Sequence, residues 1–500
     1  MTPVLLSILV FLAPWLLAQD VSRRSSGAAI PRAWDDSAMA ELELPLAGLG
    51  RPVQHVSSDY YDRIPVRPVY KTYPVYHPAR EPAGYWSWLQ QQEPQVVFDA
   101  ETLRTTEDWV RAGELVFKGA GDFAGDLKKV RDPKWYAQLG IQLAADGSDP
   151  SARYVVIRKG QIEVRYTNCS SCHTRVLSDG RLIVGAQGNP PVGRFDAANL
   201  RQQLSAAVSE AASLKDAIAN YRRMFAVPWL NPDPSQQLEG LSAGELLNAL
   251  EAIPRGVVHR GRTSIFFPPK TADLIGVKDR RYLDATGLIR HRSIADLMRY
   301  AATVDGAEDL AAFGDFRVVR ELPDPATRKR FSDEQLYALA MYVYSLAAPI
   351  NPNRPSALTA RGEQVFRREG CGVCHPPPLY TNNRLTPADG FVIPDEHNVR
   401  YDILPVAVGT DSRLALKTRK GTGYYRVPSL KGVWYRGPFE HNGSVATLED
   451  WFDPARLRAD YVPTGFRRPG EKTGAVPGHV FGLKLNREDK AALVEFLKTL

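Results

Sequence analysis

Two stretches of the chain repeat one pattern of apolar and polar positions. Residues 332–346 (SDEQLYALAMYVYSL) and 486–500 (NREDKAALVEFLKTL) align without a gap. Ser332 and Asn486 are N-cap types, Glu334 matches Glu488, Ala338 matches Ala492, Leu339 matches Leu493, Tyr342 matches Phe496 and Leu346 matches Leu500. That spacing gathers the large apolar groups on one face and predicts an amphipathic helix in each stretch. An earlier echo pairs Gly113-Glu114-Leu115-Val116-Phe117 with Gly362-Glu363-Gln364-Val365-Phe366, again on predicted amphipathic helices. The chain therefore reads as two halves, each opened and closed by a helix.

What lies between differs. In the first half, residues 154–166 alternate apolar and polar around a central Lys-Gly, which predicts a β-hairpin inside an insertion. Residues 197–225 read as one long helix, and 228–305 as a loop-rich region. The proline-rich run 347–355 reads as a linker. Upstream of 106, prolines forbid long helices and repeated tyrosines argue against full disorder, so 19–105 reads as an extended arm packed on the later domains. The apolar run from Val4 to Ala18 is too short to span a membrane and suits a secretory signal cleaved near Ala18, with an uncleaved anchor as the alternative. The expected organisation is a signal at 1–18, the arm at 19–105, a first domain at 106–347, a linker at 348–355 and a second domain at 356–500.

With 500 residues and 44% hydrophobic content, the chain is long enough for more than one core. A formal charge of +7 raises nucleic acid as a partner, but the 63 basic residues are scattered among 56 acids rather than gathered in a block. No nucleic-acid partner is expected.

The chemistry sits in the cysteines. All 4 fall in two C-x-x-C-H runs, Cys169-Ser170-Ser171-Cys172-His173 and Cys371-Gly372-Val373-Cys374-His375. This is the attachment pattern of c-type haem, in which two thiols bond the porphyrin and the adjoining imidazole ligates the iron. A disulfide, a zinc half-site or a redox dithiol would not require His after the second Cys in both copies. Each half then has the order of a cytochrome c domain: helix, haem motif, irregular loops, closing helix. The fold class expected is mainly α, with two haem domains. Propionates would engage some of the arginines, and haem attachment after translocation agrees with an exported, periplasmic or secreted protein.

Sixth ligands decide whether a haem binds substrate. None of the 5 Met follows Cys371, so the second iron must take another group, His479 first and His441 as the alternative. His479 sits in Pro477-Gly478-His479-Val480-Phe481-Gly482, a turn ahead of the closing helix. For the first haem the ligand candidates are His259, His291, Met224 and Met298, none in a distinctive loop. An open first haem would need a polar distal group, for which His259, Arg290, His291, Arg292, Tyr282 and Glu251 are candidates.

Arg426-Val427-Pro428-Ser429-Leu430 and Pro438-Phe439-Glu440-His441-Asn442-Gly443-Ser444-Val445-Ala446-Thr447-Leu448-Glu449 resemble the C-terminal domain of the bacterial dihaem cytochrome c peroxidases and their relatives. Those relatives include the rubber oxygenases and the enzyme that matures tryptophan tryptophylquinone. The resemblance implies two facing haem domains, one haem relaying an electron and the other binding peroxide or dioxygen. It also brings an interhaem calcium into question and a redox partner such as a small cytochrome or cupredoxin. The Met after Thr-Leu-Glu is missing, Trp451-Phe452-Asp453 stands where the quinone-maturing enzyme would offer Tyr, and the first half is longer. The extra length and the His479 turn are closer to the rubber-oxygenase branch, whose second haem is bis-His and whose substrate is apolar. The rival readings are a pure electron-transfer protein with two closed haems and a structural or sensory haem protein.

Overall fold

The computed structural model describes residues 30–206 and 209–500; the expected signal at 1–18 lies outside them. The described residues are mainly helical, with small antiparallel sheets. None of their helices is long and apolar enough to cross a membrane.

Each half is organised by two crossed helices. Thr106–Lys118 crosses Asp333–Ser345, and Ala357–Arg368 crosses Arg487–Lys498. All four begin on a side-chain cap: Thr105, Ser332, Ser356 and Asn486 each accept a backbone N–H of the first turn. Such a cap is worth about 1 kcal/mol. The two crossings are near copies. A Cβ placed on Gly113 would lie 1.9 Å from the Ala338 carbonyl oxygen and 2.7 Å from Tyr342 Cβ; on Gly362 it would lie 1.9 Å from the Ala492 oxygen and 2.6 Å from Phe496 Cβ. Only a residue without a side chain lets the backbones approach this closely. The echoed glycines and the echoed Ala and Tyr/Phe positions are therefore the two sides of one contact.

Around the first crossing, Val116, Phe117, Leu336 and Leu339 share a core with Trp34, Tyr61 and Val69 from the arm. The second crossing has its own smaller core of Val365, Phe366, Leu493 and Phe496. The arm is more structured than an extended strap. It carries short helices at Asp36–Ala40, Ser58–Asp62 and Tyr85–Leu89, and strand β1, Thr72–Tyr76. With β2 (Ala120–Gly125), β3 (Ser148–Arg158) and β4 (Gln161–Thr167) this strand forms a sheet of order β1-β3-β4-β2. The predicted hairpin is β3-β4, turning at Lys159-Gly160, where Gly160 takes φ 75°. Its inner face buries Tyr154, Val156 and Val164 against Tyr73 and Val75 of β1.

The arm is anchored to both halves. Trp34 stacks on Tyr61 at 4.1 Å, the Leu44 N–H donates to the Leu288 carbonyl, and the Ala47 N–H donates to the Gly421 carbonyl. Glu43, fully enclosed, accepts both arms of the Arg262 guanidinium at 2.7 and 2.8 Å. One expectation is corrected. The single helix at 197–225 is two, Val192–Ala206 and Glu210–Phe225, the second starting afresh at Ser209, whose hydroxyl accepts from the Ala212 N–H at 3.4 Å. A serine that can satisfy the backbone from outside a helix competes with helix continuation. The region 228–305 is mostly irregular but holds two short helices, Ala243–Glu251 and Ile294–Ala302.

Candidate haem sites

The second motif leaves the helix Ala357–Arg368 through Gly370 at φ 72° and makes one tight turn, so that the His375 N–H donates to the Cys371 carbonyl at 2.9 Å. His375 Nδ1 lies 3.1 Å from the Tyr380 carbonyl oxygen. That contact makes Nδ1 the protonated nitrogen and leaves Nε2 as a free lone pair. Burial pushes the imidazole down to about 4, so it is neutral and able to ligate.

Across from it stands His479, with ring centroids 6.5 Å apart. A metal–imidazole bond of about 2 Å and roughly 1.2 Å from nitrogen to ring centre, counted on both sides, place two axial rings about 6.4 Å apart. His479 has φ 43°, held by its own N–H on the Val408 carbonyl (2.7 Å) and by Arg456 on its carbonyl (2.9 Å). Trp451 and Phe481 flank its ring edge-on, and burial lowers its pKa. His441 is differently employed. Its Nδ1 faces Glu440 at 3.0 Å, its Nε2 the Tyr425 hydroxyl at 3.2 Å, and its ring stacks on Tyr425.

The first motif hangs from the end of Thr106–Lys118 in the same way. Ser170 N–H donates to the Phe117 carbonyl, and Asn168 Nδ2 donates to the Val116 carbonyl at 3.0 Å. The His173 N–H donates to the Cys169 carbonyl at 3.0 Å, and His173 Nδ1 lies 2.8 Å from the Ala272 carbonyl oxygen. Burial pushes this imidazole, too, down to about 4. Among the described residues no second ring is paired with it. The groups whose charge reaches it are Arg260 and Arg280.

The sequence-derived distal candidates have partners of their own. His259 Nε2 is 2.8 Å from Asp196 Oδ2, a charge contact bent out of hydrogen-bond geometry, between Tyr221 and Phe225. His291 has both nitrogens engaged, on the Arg280 carbonyl and the Tyr344 hydroxyl, each at 2.7 Å. Arg290 lies over the Tyr401 ring, Arg292 pairs with Asp296 and Glu41, and the Tyr282 hydroxyl accepts from the Asp402 N–H. Glu251 is exposed and paired with Arg201. Met298 is core and Met224 lines a cavity.

A polar group that the sequence did not announce acts on both His173 and Cys172. Arg260 is half-buried, its Nη2 donates to the Val304 carbonyl at 3.3 Å, and its positive form is held by Glu308, Tyr300 and Asp284 against the pull of burial. Tyr300 donates to Asp284 at 2.9 Å and Lys420 Nζ to the same oxygen at 2.7 Å. Burial would raise the Asp284 carboxyl, but Lys420, the Ala285 N–H and the Tyr300 hydroxyl together outweigh it and hold it at about 2. These residues come from separate segments, Tyr300 from the helix Ile294–Ala302 and Arg260, Asp284 and Lys420 from loops, and share no periodicity or motif.

Do the residues fit haem c? All four thiols are free, and burial pushes Cys169 up to about 12 and Cys371 up to about 11. That direction is opposite to the lowered thiol that activates a redox dithiol. Between the two motifs the interior also holds more cation than anion. Burial pushes Lys270 down to about 8, Arg426 to about 9 and Arg175 to about 10, and lowers Arg280. Arg436 joins them, 3.7 Å from Asp273, which also accepts from the Tyr435 hydroxyl at 3.1 Å. Asp273, Glu440, Asp279 and Asp284 are the acids acting on this group, and Arg175, Arg280, Arg426 and Arg436 also donate to backbone carbonyls. Lys270, Arg280 and Arg426 are nonetheless lowered by burial and by their cationic neighbours, and anionic guests would suit the cluster. Haem propionates are such guests, and the donor sets at both motifs fit. Among the described residues no group of three or more His, Cys, Asp or Glu is arranged to hold a metal ion, so calcium has no side-chain cluster behind it.

No family model matches the chain. A cytochrome-c peroxidase, IdrP1, of Denitromonas iodatirespirans is 28% identical over 166 residues, which are 29% of this chain and 40% of that protein. The match thus spans well under half of that relative. A Kuenenia stuttgartiensis hydrazine synthase structure covers 47% of this chain and 72% of its own at 16% identity and a TM-score of 0.28, a likeness on which no argument rests.

Proposed function

We propose that the chain is an exported dihaem c-type oxidoreductase in which the His173 site takes a small oxidant and the His375–His479 site holds the relay. The observation that carries this reading is the asymmetry between the sites: an imidazole with its ring centre 6.5 Å from that of His375, and at His173 no paired ring among the described residues but the charges of Arg260 and Arg280. The partial similarity to a cytochrome-c peroxidase supports haem oxidoreductase chemistry in general. Haem c, when attached, supplies one-electron chemistry and an iron that peroxide or dioxygen can ligate.

The chain's own groups do the rest. Cys169, Cys172, Cys371 and Cys374 would hold two porphyrins, and the Nδ1 contacts of His173 and His375 leave Nε2 of each free to ligate a metal. His479 would close the second site to exogenous ligands. The Arg175, Lys270, Arg280, Arg426 and Arg436 cluster would bind propionates. Arg260 offers hydrogen bonds at the first site, and Tyr300, with its proton on the Asp284 side, is placed to hold or pass one. Electrons would come from a small redox protein, cytochrome or cupredoxin.

The test is an electronic and EPR spectrum of the purified holoprotein with and without cyanide or carbon monoxide. We expect one ligand-responsive and one low-spin haem, and we expect His479→Ala to render the second haem high-spin. His441→Ala should leave that spectrum unchanged. Two unresponsive low-spin haems would sink the enzyme reading and leave an electron-transfer protein.

A further inference from the structure

The imidazoles of the two sites are not held alike. His173 and His375 each set Nδ1 against a backbone carbonyl, at 2.8 and 3.1 Å, whereas the Nδ1 of His479 is buried and has no hydrogen-bond partner among the described residues. A metal-ligating imidazole is ordinarily oriented through its other ring nitrogen. His479 lacks that handle, and its φ of 43° is a conformation that a residue other than glycine keeps only when its surroundings impose it. Its orientation is therefore set from the backbone.

One side chain grips that backbone. Asp453 caps the short turn Pro454–Leu457, its carboxylate accepting the Ala455 N–H at 2.9 Å, and the turn sends Arg456 inward until only 1% of it is exposed. The guanidinium donates from each of its nitrogens to a different carbonyl: Nε to Trp451 at 2.9 Å, Nη1 to Val476 at 2.7 Å and Nη2 to His479 at 2.9 Å. The Val476 N–H returns a bond to the Arg456 carbonyl at 2.6 Å, so the segment entering the His479 turn is held by both of its backbone groups. Arg456 also lies 5.5 Å from the centre of the Trp451 ring, and that ring meets the His479 imidazole edge-on at 5.1 Å. Enclosing a guanidinium against carbonyls alone is costly, and what the place uses is the rigid planar fork of donors that only arginine has.

We propose that Arg456 is the positioning residue of the second site: it sets where the His479 imidazole stands, in place of a hydrogen bond to the ring. This rests on the reading of His479 as a ligand of the second metal. One fork fixes the carbonyl of His479 itself, the segment that leads to it and the helix end that carries its aromatic neighbour, so the three cannot shift separately. The other side of the turn is closed by the His479 N–H on the Val408 carbonyl and by Gly478, where a Cβ would come within 2.3 Å of the Gly409 backbone. A lysine would bring a single ammonium to carbonyls that diverge, and could not hold all of them at once.

The test is the electronic and EPR spectrum of the oxidised holoprotein, followed by titration with free imidazole. Arg456→Ala should turn most of the second haem high-spin with the signal of the first unchanged, and added imidazole should restore the low-spin spectrum, as it should in His479→Ala. Arg456→Lys should give a smaller high-spin fraction. Arg458→Ala, exposed and paired with Asp460 two residues further along the chain, should keep the wild-type spectrum. Should Arg456→Ala not fold, judged by circular dichroism, Arg456→Lys is read in its place. A wild-type spectrum in the folded variant would overturn the positioning role, and so would a high-spin signal that imidazole does not reverse, which marks a collapsed site rather than a displaced ligand. A second haem that stays low-spin in His479→Ala would instead overturn the ligand reading itself, whatever the Arg456 variants do.

Discussion

At His375 a second imidazole stands with its ring centre 6.5 Å away, whereas the charges that reach His173 are two guanidiniums, Arg260 and Arg280, the first of them backed by a phenol and a carboxylate. Yet both motifs hang from helix crossings that agree to a tenth of an ångström in their closest approach. The helices of each half fix where the haem motif begins; the loops decide what faces the metal. The loop-rich region 228–305 of the first half supplies Arg260, Asp284 and Tyr300, while the second half places the Gly478-His479 turn ahead of its closing helix.

The strongest way to test the shared part is at the crossings. Gly113→Leu and Gly362→Leu should each prevent the helices from meeting, because even a Cβ would enter a carbonyl oxygen. A destabilisation above about 4 kcal/mol is expected for each, read as lost holoprotein yield or a fall in Tm of 10 °C or more. Similar losses at both positions would sharpen the parallel; a tolerated leucine at either would break it.

The next effect belongs to the first half alone. Arg262→Ala strands Glu43, an enclosed carboxylate whose pKa burial would raise and Arg262 lowers instead. Removing one partner of a buried pair costs about 3–5 kcal/mol, measurable by urea unfolding, and the arm should become sensitive to protease first. An unchanged midpoint would mean that the arm is not held by this pair.

The smallest effect is a pH dependence with no counterpart in the second half. Asp305 is pushed up to about 7, by burial first and by Asp122 besides, with Arg67 at 3.1 Å opposing. Unfolded, it titrates at about 4, so the folded chain binds this proton more tightly. Its contribution to stability is present below about pH 4 and lost as pH rises through about 7. Unfolding free energy measured over that window should fall more steeply in the wild type than in Asp305→Asn; equal slopes would contradict the assignment.

How much of this was legible in the sequence follows from what repeats. The motifs, the four capped helices and the β3-β4 hairpin were readable because each rests on contacts within a few residues or on a period. The glycines at the crossings were readable as echoes, though not as contacts. The break at Ser209 was hidden because the apolar spacing continues across it. β1 was hidden because an edge strand containing Pro74 has no strong local signature. The group around Arg260 is assembled from loops as far apart as residues 260 and 420, and no pattern along the chain marks such a meeting. His259 and His291 were reasonable by residue type, but their partners, Asp196 and the Arg280 and Tyr344 oxygens, are fixed only by the fold.

The crowd of cations between the two motifs makes the interior selective. Beyond the effect of burial, Arg436 lowers the pKa of Lys270, Arg280 and Arg426 alike. An anion seated among them would relieve that mutual pressure and tighten the hold of each on its proton, whereas a neutral guest of the same size would leave it in place.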